Sequence, residues 1–281
     1  MSKSADLPKL LKFRPGDKVA DIDARATPGF KGAKADGVKL LDERIGRLAE
    51  LQEMLYANHK AADDTRSVLL VLQGMDAAGK GGIVKHVVGS VNPMGVRYTA
   101  FGVPTEEERK HNYLWRIRRA LPPAGHIGVF DRSHYEDVLI VRVHNLVPPE
   151  VWGKRYDEIN RFEQKLVDDG TTIIKVAMFV SPDEQKKQLL ERLEDPTKYW
   201  KYNPGDIDER KQWPKYQEAY QTVLDRTSTE YAPWYVVPCD RRWYSRLAVT
   251  ELLLHALEGL KLSWPPADFD VEAEKKRLAE A

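Results

Sequence analysis

The sequence predicts an α/β fold: a three-layer sandwich in which a five-stranded parallel sheet carries helices on both faces and a helical lid at one end. Three observations lead there. Short apolar, β-branched runs alternate with longer segments of helical period along most of the chain. The run Ser67–Gln73 is continuously apolar between its first and last residues, the pattern of a strand covered on both sides. Between the fourth strand and the helix leading to the fifth, a proline-broken stretch rich in charge and aromatics interrupts the alternation.

The elements follow in order. Residues 1–36 hold Pro8, Pro15 and Pro28 and no sustained period, and are expected to form an arm over the main body. From Asp36 to about His59, Val38, Leu41, Ile45, Leu48, Leu51 and Leu55 recur at helical spacing. After the strand Ser67–Gln73, Gly74–Gly82 forms a turn and a helix runs to about Val91. Arg97–Phe101 is the second strand. Thr105–Leu121 is expected as one helix, opened by an N-cap threonine and three glutamates and closed by arginines, as the helix dipole favours. His126–Phe130 is the third strand and stops at Asp131. A helix over 150–169, a strand Thr172–Phe179 and a helix Asp183–Glu194 come next. The interrupted stretch 195–213 precedes a helix to about Thr229, the strand Trp234–Val237 and a closing helix Trp243–Leu260. This alternation implies right-handed crossovers and a parallel sheet. The expected division is an arm (1–36), one domain (37–264, with the lid at about 192–213) and a short charged tail (265–281).

Composition narrows the function classes. The 281 residues carry 44 Lys+Arg against 43 Asp+Glu, a formal charge of +1, so the chain as a whole is not built to coat nucleic acid. One cysteine, Cys239, excludes an internal disulfide and suits a reducing cytoplasm. No apolar stretch is long enough for a bilayer, and the first residues lack a secretory apolar core. A cytoplasmic enzyme is the expectation.

The chemistry is carried by Gly74-Met75-Asp76-Ala77-Ala78-Gly79-Lys80, which fits G-x-x-x-x-G-K directly after a strand and at the start of a helix. In such a P-loop, backbone N–H groups point at phosphate oxygens, the helix N-terminus adds a favourable dipole, and the lysine adds a full charge. Gly74, Met75, Ala77, Ala78, Gly79, Gly81 and Gly82 are therefore candidate phosphate binders, with Lys85 about a turn further on. The bland alternative is a glycine-rich turn without a ligand. Gly81 stands where the usual loop has the Ser or Thr that holds magnesium, and an acid, Asp76, stands inside the loop. A carboxylate there repels phosphate unless a cation lies between, so Asp76 is expected to bind Mg²⁺; otherwise it caps the helix.

Asp131, at the end of the third strand, has the Walker B position, where an acid orients a metal or the attacking oxygen. Arg132 follows and can reach a transferring phosphoryl group, and Glu136 can add a metal contact. Asp137 reads equally as half of a salt bridge. Downstream, Arg192, Lys198, Lys201 and Arg210 suit a lid that closes over phosphates, or else a solvated hairpin. Arg109 and Arg116 share a helical face and extend the basic track, whereas Arg118 points elsewhere. Trp115, Trp200 and Trp213 suit either a base or the core. His111 and His134 lack metal-ligand spacing, and Cys239 reads as a small buried apolar residue.

With these residues in place the chain resembles the polyphosphate kinase 2 family from about Phe13 to Leu260. The carriers are GMDAAGKGG at 74–82, FDRSHYEDVL at 130–139, the lid from Arg192 to Trp213, RTSTEYAPWYVVPCDRRWY at 226–244 and TPGFKG at 27–32. The DRSHYEDVL form and the arm are similar to the subgroup called class III, whose members use inorganic polyphosphate to phosphorylate AMP and ADP. The resemblance implies a P-loop kinase-like fold and catalytic roles for Asp76, Lys80, Asp131, Arg132 and Arg192. It implies metal roles for Asp76, Asp131 and Glu136, toward Mg²⁺ or Mn²⁺ in its place, and matches Lys198, Lys201 and Arg210 to the lid. That family also lacks the P-loop Ser/Thr, and its members form dimers and tetramers, so a homo-oligomer is expected. The implied mechanism is direct in-line transfer from polyphosphate to an adenine nucleotide without a covalent protein intermediate. An ATP-dependent nucleoside or nucleotide kinase would share the loop, sheet and lid. A P-loop ATPase or switch would carry the Ser/Thr that Gly81 replaces, and a mere polyanion binder would be harmed by Asp76 and Asp131.

Overall fold

The computed structural model describes residues 6–281, so residues 1–5 of the expected arm lie outside the described residues. Five strands form one parallel sheet: β1 (Ser67–Gly74), β2 (Val96–Ala100), β3 (Ile127–Asp131), β4 (Thr171–Phe179) and β5 (Trp234–Pro238), in the order β2-β3-β1-β4-β5. The order reverses around β1, which places the crevice at the carboxyl ends of β1 and its neighbours, where open α/β sheets bind ligands.

Strand periodicity sorts the side chains into two cores. On one face Val68, Leu70, Leu72, Val129, Ile174 and Val176 pack under the helices Lys34–Ala62, Lys80–His86 and Arg242–Gly259. On the other, Leu69, Val71, Phe130, Ile173, Ala177 and Trp234 pack under Leu114–Ala120, Pro149–Asp168 and Trp213–Thr227. Val68 to Leu72 are at most 1% exposed, as the uninterrupted apolar run requires. Each such side chain contributes about 1.5–3 kcal/mol through burial.

The structure departs from the expected elements in three places. The helix expected over Thr105–Leu121 is two helices, Glu106–Arg109 and Leu114–Ala120. Asn112 separates them: its side-chain oxygen accepts the Leu114 N–H at 2.9 Å, offering the backbone a local partner instead of a continued helix. The face shared by Arg109 and Arg116 therefore does not exist. The helix after the P-loop ends at His86 rather than Val91 and gives way to a 3₁₀ turn, Val88–Ser90. There Ser90 Oγ donates to Val87 O at 2.6 Å, and the β-branched pair Val87–Val88 with Gly89 lowers helix propensity. Between Asp131 and Pro149, a 3₁₀ turn (His134–Val138) and a short helix (Ile140–Val143) stand where no element was expected.

The arm is more tightly joined than its composition suggests. It begins with a short helix, Leu7–Leu11, and then bridges to β5: Phe13 N donates to Trp234 O at 2.8 Å and Lys12 pairs with Tyr235. Leu7, Leu11, Phe13 and Val19 are buried. The arm thus covers an edge strand that would otherwise offer unpaired backbone groups. At the other end, the tail helix Val271–Ala279 is exposed throughout and carries the ion pair Lys275–Glu272 at 2.7 Å. No helix among the described residues is long and apolar enough to cross a membrane.

Cys239 is fully buried beyond β5, and burial pushes its thiol up to about 12. It stays a protonated thiol through neutral pH, as a buried apolar residue would. A thiol-specific chromogenic reagent at pH 8 is expected to leave the native protein unlabelled and to titrate one thiol once denaturant is added.

Candidate functional site

β1 delivers the phosphate loop to the carboxyl edge of the sheet. Gly74, its last residue, sits where a Cβ would lie 2.7 Å from Met178 O on β4, so only glycine lets β1 and β4 stay paired there. The loop turns through Ala77 at φ +62° and Gly79 at φ +104°, and the helix starts at Lys80. Its first N–H groups have no partner within the helix, which leaves them available to anion oxygens. Lys80 is 8% exposed and curls back, its ammonium donating to Gly74 O at 2.7 Å. Burial and the neighbouring Arg132 push that ammonium's pKa down, against the pull of Asp131, Asp76 and Glu136.

β3 runs beside β1 with Leu72 paired to Asp131, so the strand-end acid stands next to the loop. Asp131 receives the Tyr98 hydroxyl on Oδ2 at a long 3.4 Å, and burial followed by Asp131 raises the pKa of that phenol. Arg132 takes a left-handed backbone, φ +63°, a conformation that costs a non-glycine residue about 1–2 kcal/mol. Its backbone N–H donates to Leu72 O at 3.0 Å and its guanidinium to Asp76 Oδ1 at 2.7 Å. Burial opposes the charge on Arg132, but Glu136, Asp76 and Asp131 outweigh it and hold its pKa above the ordinary arginine value.

The lid is a 3₁₀ turn (Pro196–Lys201) and a helix (Gly205–Lys211) following the helix Pro182–Glu194. Arg192 donates to Lys201 O at 3.1 Å and to Asp206 Oδ2 at 3.3 Å. Burial and then Asp76 push the Asp206 carboxyl up, against Arg192.

A crevice of about 870 Å³ joins loop, strand end and lid. Of the residues singled out in the sequence, Asp76, Ala77, Gly79, Lys80, Gly81, Gly82, Lys85, Asp131, Arg132, Arg192, Lys198 and Lys201 line it. Gly74, Met75 and Ala78 shape the loop from behind. Glu136 lies below, accepting from Gln73 Nε2 at 2.8 Å. Arg116 is turned away: it is 8% exposed, donates to Gly102 O at 2.9 Å and packs over Phe101. Arg210 braces the lid, donating to Pro182 O at 2.6 Å and to Gln185 Oε1 at 2.9 Å, while Gln185 Nε2 holds Asp76 O at 3.0 Å. Both were expected to meet phosphate; among the described residues the structure gives them packing and bracing partners instead. Asp137 makes the salt bridge that was one of its two readings, with Arg155 at 3.0 Å. Of the three tryptophans, Trp115 stacks on His111, Trp213 packs against the core, and Trp200 is 79% exposed on the crevice rim.

Two crevice arginines were missed. Arg242 and Arg246 lie one turn apart at the start of the last core helix; Arg242 donates to Ala77 O at 2.6 Å and lies over Gly79. Burial and Arg242 lower the Arg246 pKa, while burial, Arg246 and Lys85 lower that of His86. A signal existed. Arg241 at the N-cap, with Arg242 and Arg246 in the first turn and a half of the helix, opposes the helix dipole. Charges placed against a local preference point to a use outside the helix.

The donor set is that of a hard cation. Among the described residues no three Asp, Glu, His or Cys side chains cluster tightly enough to hold a metal alone. Asp76 and Asp131 instead offer one carboxylate each to a common space, the pattern by which Mg²⁺ is held between one or two carboxylates and substrate phosphates.

Comparison with known proteins agrees with this geometry. A family model described as polyphosphate kinase 2 matches residues 34–263. The chain is 47% identical over 257 residues to an AMP/ADP-polyphosphate phosphotransferase of Meiothermus ruber, covering 92% of this chain and 91% of that one. It is 43% identical to an ADP-polyphosphate phosphotransferase of Rhodopseudomonas palustris, covering 92% of each. A crystal structure of polyphosphate kinase 2 from Arthrobacter aurescens superposes with a TM-score of 0.97 at 51% identity, over 100% of this chain and 99% of that one.

The loop glycines differ in what they tolerate. Gly79→Ala puts a Cβ 2.2 Å from the Arg242 guanidinium at a positive φ, and is expected to lower the unfolding free energy by about 1–3 kcal/mol. A Cβ on Gly81 meets nothing within 4 Å, so Gly81→Ser is expected to stay within about 0.5 kcal/mol of wild type. Urea denaturation midpoints measure both.

Proposed function

The chain belongs to the polyphosphate kinase 2 family, and from that premise we propose that it transfers a phosphoryl group between inorganic polyphosphate and an adenine nucleotide, converting AMP to ADP and ADP to ATP. The observation that carries the reading is the placement of Asp76 and Asp131 in one crevice with Lys80, Arg132 and Arg192. Such a site holds phosphate through its cations and a divalent ion through its acids.

Mg²⁺, with Mn²⁺ as its substitute, suits these hard oxygen donors and would neutralise phosphate charge there. Asp76 and Asp131 would hold it directly. Glu136, bonded to Gln73 beneath the crevice, would act at one remove. The cations then share the transferring group. Lys80 is held at the loop by Gly74 O, and Arg132 has its guanidinium beside the loop's own acid. Arg192 hangs from the lid, where Asp206 keeps it in reserve. Because the reaction exchanges one phosphoanhydride for another, positioning and charge balance suffice and no nucleophilic side chain is required.

The polyphosphate chain extends from the loop along Lys85, His86, Arg242 and Arg246, and not along the helices at 106–120, whose Arg116 faces inward. Trp200 on the lid offers the nucleotide base a flat apolar face, and Lys198 and Lys201 flank it. The cytoplasm and a homo-oligomeric state, dimer or tetramer, complete the reading.

Purified protein given ADP, long-chain polyphosphate and Mg²⁺ with no other donor is expected to produce ATP in a luciferase assay. Failure there, together with phosphorylation of AMP by ATP, would instead assign an ATP-dependent nucleotide kinase. Asp131→Asn keeps the size and removes the charge, and is expected to lower kcat about 10²–10³-fold. Near-normal turnover by that variant would take Asp131 out of the mechanism.

A further inference from the structure

Beneath the strand-end acid lies a polar cluster that the crevice does not reach. His134 and Tyr135, which follow the left-handed Arg132 by two and three residues, turn their rings into the core, and both are 0% exposed. The Tyr135 hydroxyl donates to Glu163 Oε1 at 2.8 Å and accepts from Lys175 Nζ at 2.9 Å. Lys175 also donates to Glu163 Oε2 at 2.6 Å and to Thr227 O at 2.7 Å. His134 Nε2 lies 3.2 Å from Glu163 Oε1. Lys175 and Glu163 are themselves 0% exposed. They come from β4 and the helix Pro149–Asp168, so four separate elements meet on one carboxylate and one ammonium.

Stability does not explain this arrangement. Removing an ammonium and a carboxylate from water is costly, and an apolar set of the same volume is commonly as stable or more so. What an ionic cluster adds is direction: each hydrogen bond has a required partner and angle, so each participating side chain has one orientation. Burial opposes the charge on Glu163, yet Lys175 and His134 outweigh it and hold its carboxyl below the ordinary range. The acceptor is thus a carboxylate, able to receive all three donors.

The segment fixed in this way needs to be fixed. Arg132 at φ +63° is a non-glycine residue in a conformation that persists only where the surroundings over-determine it. Glu136, on the far side of the two buried rings, is held to Gln73. We propose that Lys175 and Glu163, acting through Tyr135 and His134, are positioning residues that clamp the turn 132–136 so that Arg132 reaches Asp76 and Glu136 reaches Gln73. The pair touches no substrate. It sets the aim of the arginine that does, and in this it rests on the phosphoryl-transfer reading above.

Tyr135→Phe is the least disruptive test, since it keeps the ring packed against Trp234 and removes only the hydroxyl. Lys175→Met alone strands a buried carboxylate, so the second variant is Lys175→Met with Glu163→Leu, an apolar replacement of the pair. Both are expected to lower kcat about 10- to 100-fold, the effect of a small misplacement of a reacting group. KM for ADP and polyphosphate should stay within about twofold, because Lys80 and the loop N–H groups, which lie outside the clamped turn, still bind ground-state phosphate. A brace with no positioning role would lower the melting temperature and leave kcat per folded molecule unchanged, and that result for Tyr135→Phe overturns the proposal whatever the double variant does. A crystal structure of Tyr135→Phe in which Arg132 keeps its left-handed backbone and its Asp76 contact overturns it too. That second outcome is independent of the reaction, so it separates failure of the clamp from failure of the proposed activity.

Discussion

The site is organised around one ion pair, Asp76 with Arg132 at 2.7 Å. An acid inside an anion-binding turn is repelled by the ligand that the turn is shaped for, and the turn can carry it only beside a positive charge. Arg132 supplies that charge from the neighbouring strand end. The contact requires Arg132 to leave β3 with a left-handed backbone, and that in turn requires the residues after it to be gripped from below. Lys80 stands within the same field, its ammonium balanced by three carboxylates and disfavoured by its own burial. Loop and strand end therefore form one electrostatic unit, with the buried cluster packed beneath it.

The sheet makes that unit possible by bringing two strand ends to one level. β1 and β3 pair in a register that sets Asp131 opposite Leu72, two residues short of the glycine that opens the loop. β4 approaches from the other side so closely that Gly74 admits no side chain. Two apolar cores hold the sheet from above and below, and the arm seals the β5 edge. The carboxyl edge is thereby left open for a set of charges to gather outside both cores.

The lid contributes cations that have partners already. Arg192 rests on Asp206 and on Lys201 O, and Arg210 is tied through Gln185 to the backbone of Asp76. The loop and the lid are mechanically joined at the residue that carries the loop's negative charge. Burial, and after it the charge of Asp76, raises the Asp206 carboxyl against the pull of Arg192.

The strands, the loop and the strand-end acid were legible in the amino-acid order because each is a local pattern. A short apolar run bounded by turn signals has the pattern of a strand covered twice, and G-x-x-x-x-G-K after such a run has the pattern of a loop that opens a helix onto an anion. Asp76, Lys80, Asp131 and Arg132 followed from that adjacency, and so did the lid from the interruption of the alternation. Contacts between residues far apart in the chain were decided by the tertiary structure alone. Asn112 broke a helix whose composition favoured continuity, which turned Arg116 inward. Arg242 and Arg246 reached the loop across more than 160 residues because the last core helix happens to start over Gly79. Lys175, a charge inside an apolar strand, meets its partner only because the helix at 149–168 brings Glu163 to it. Local periodicity follows from backbone geometry and is written into neighbouring residues. Which distant charges meet depends on how whole elements pack, and no short stretch of sequence contains that information.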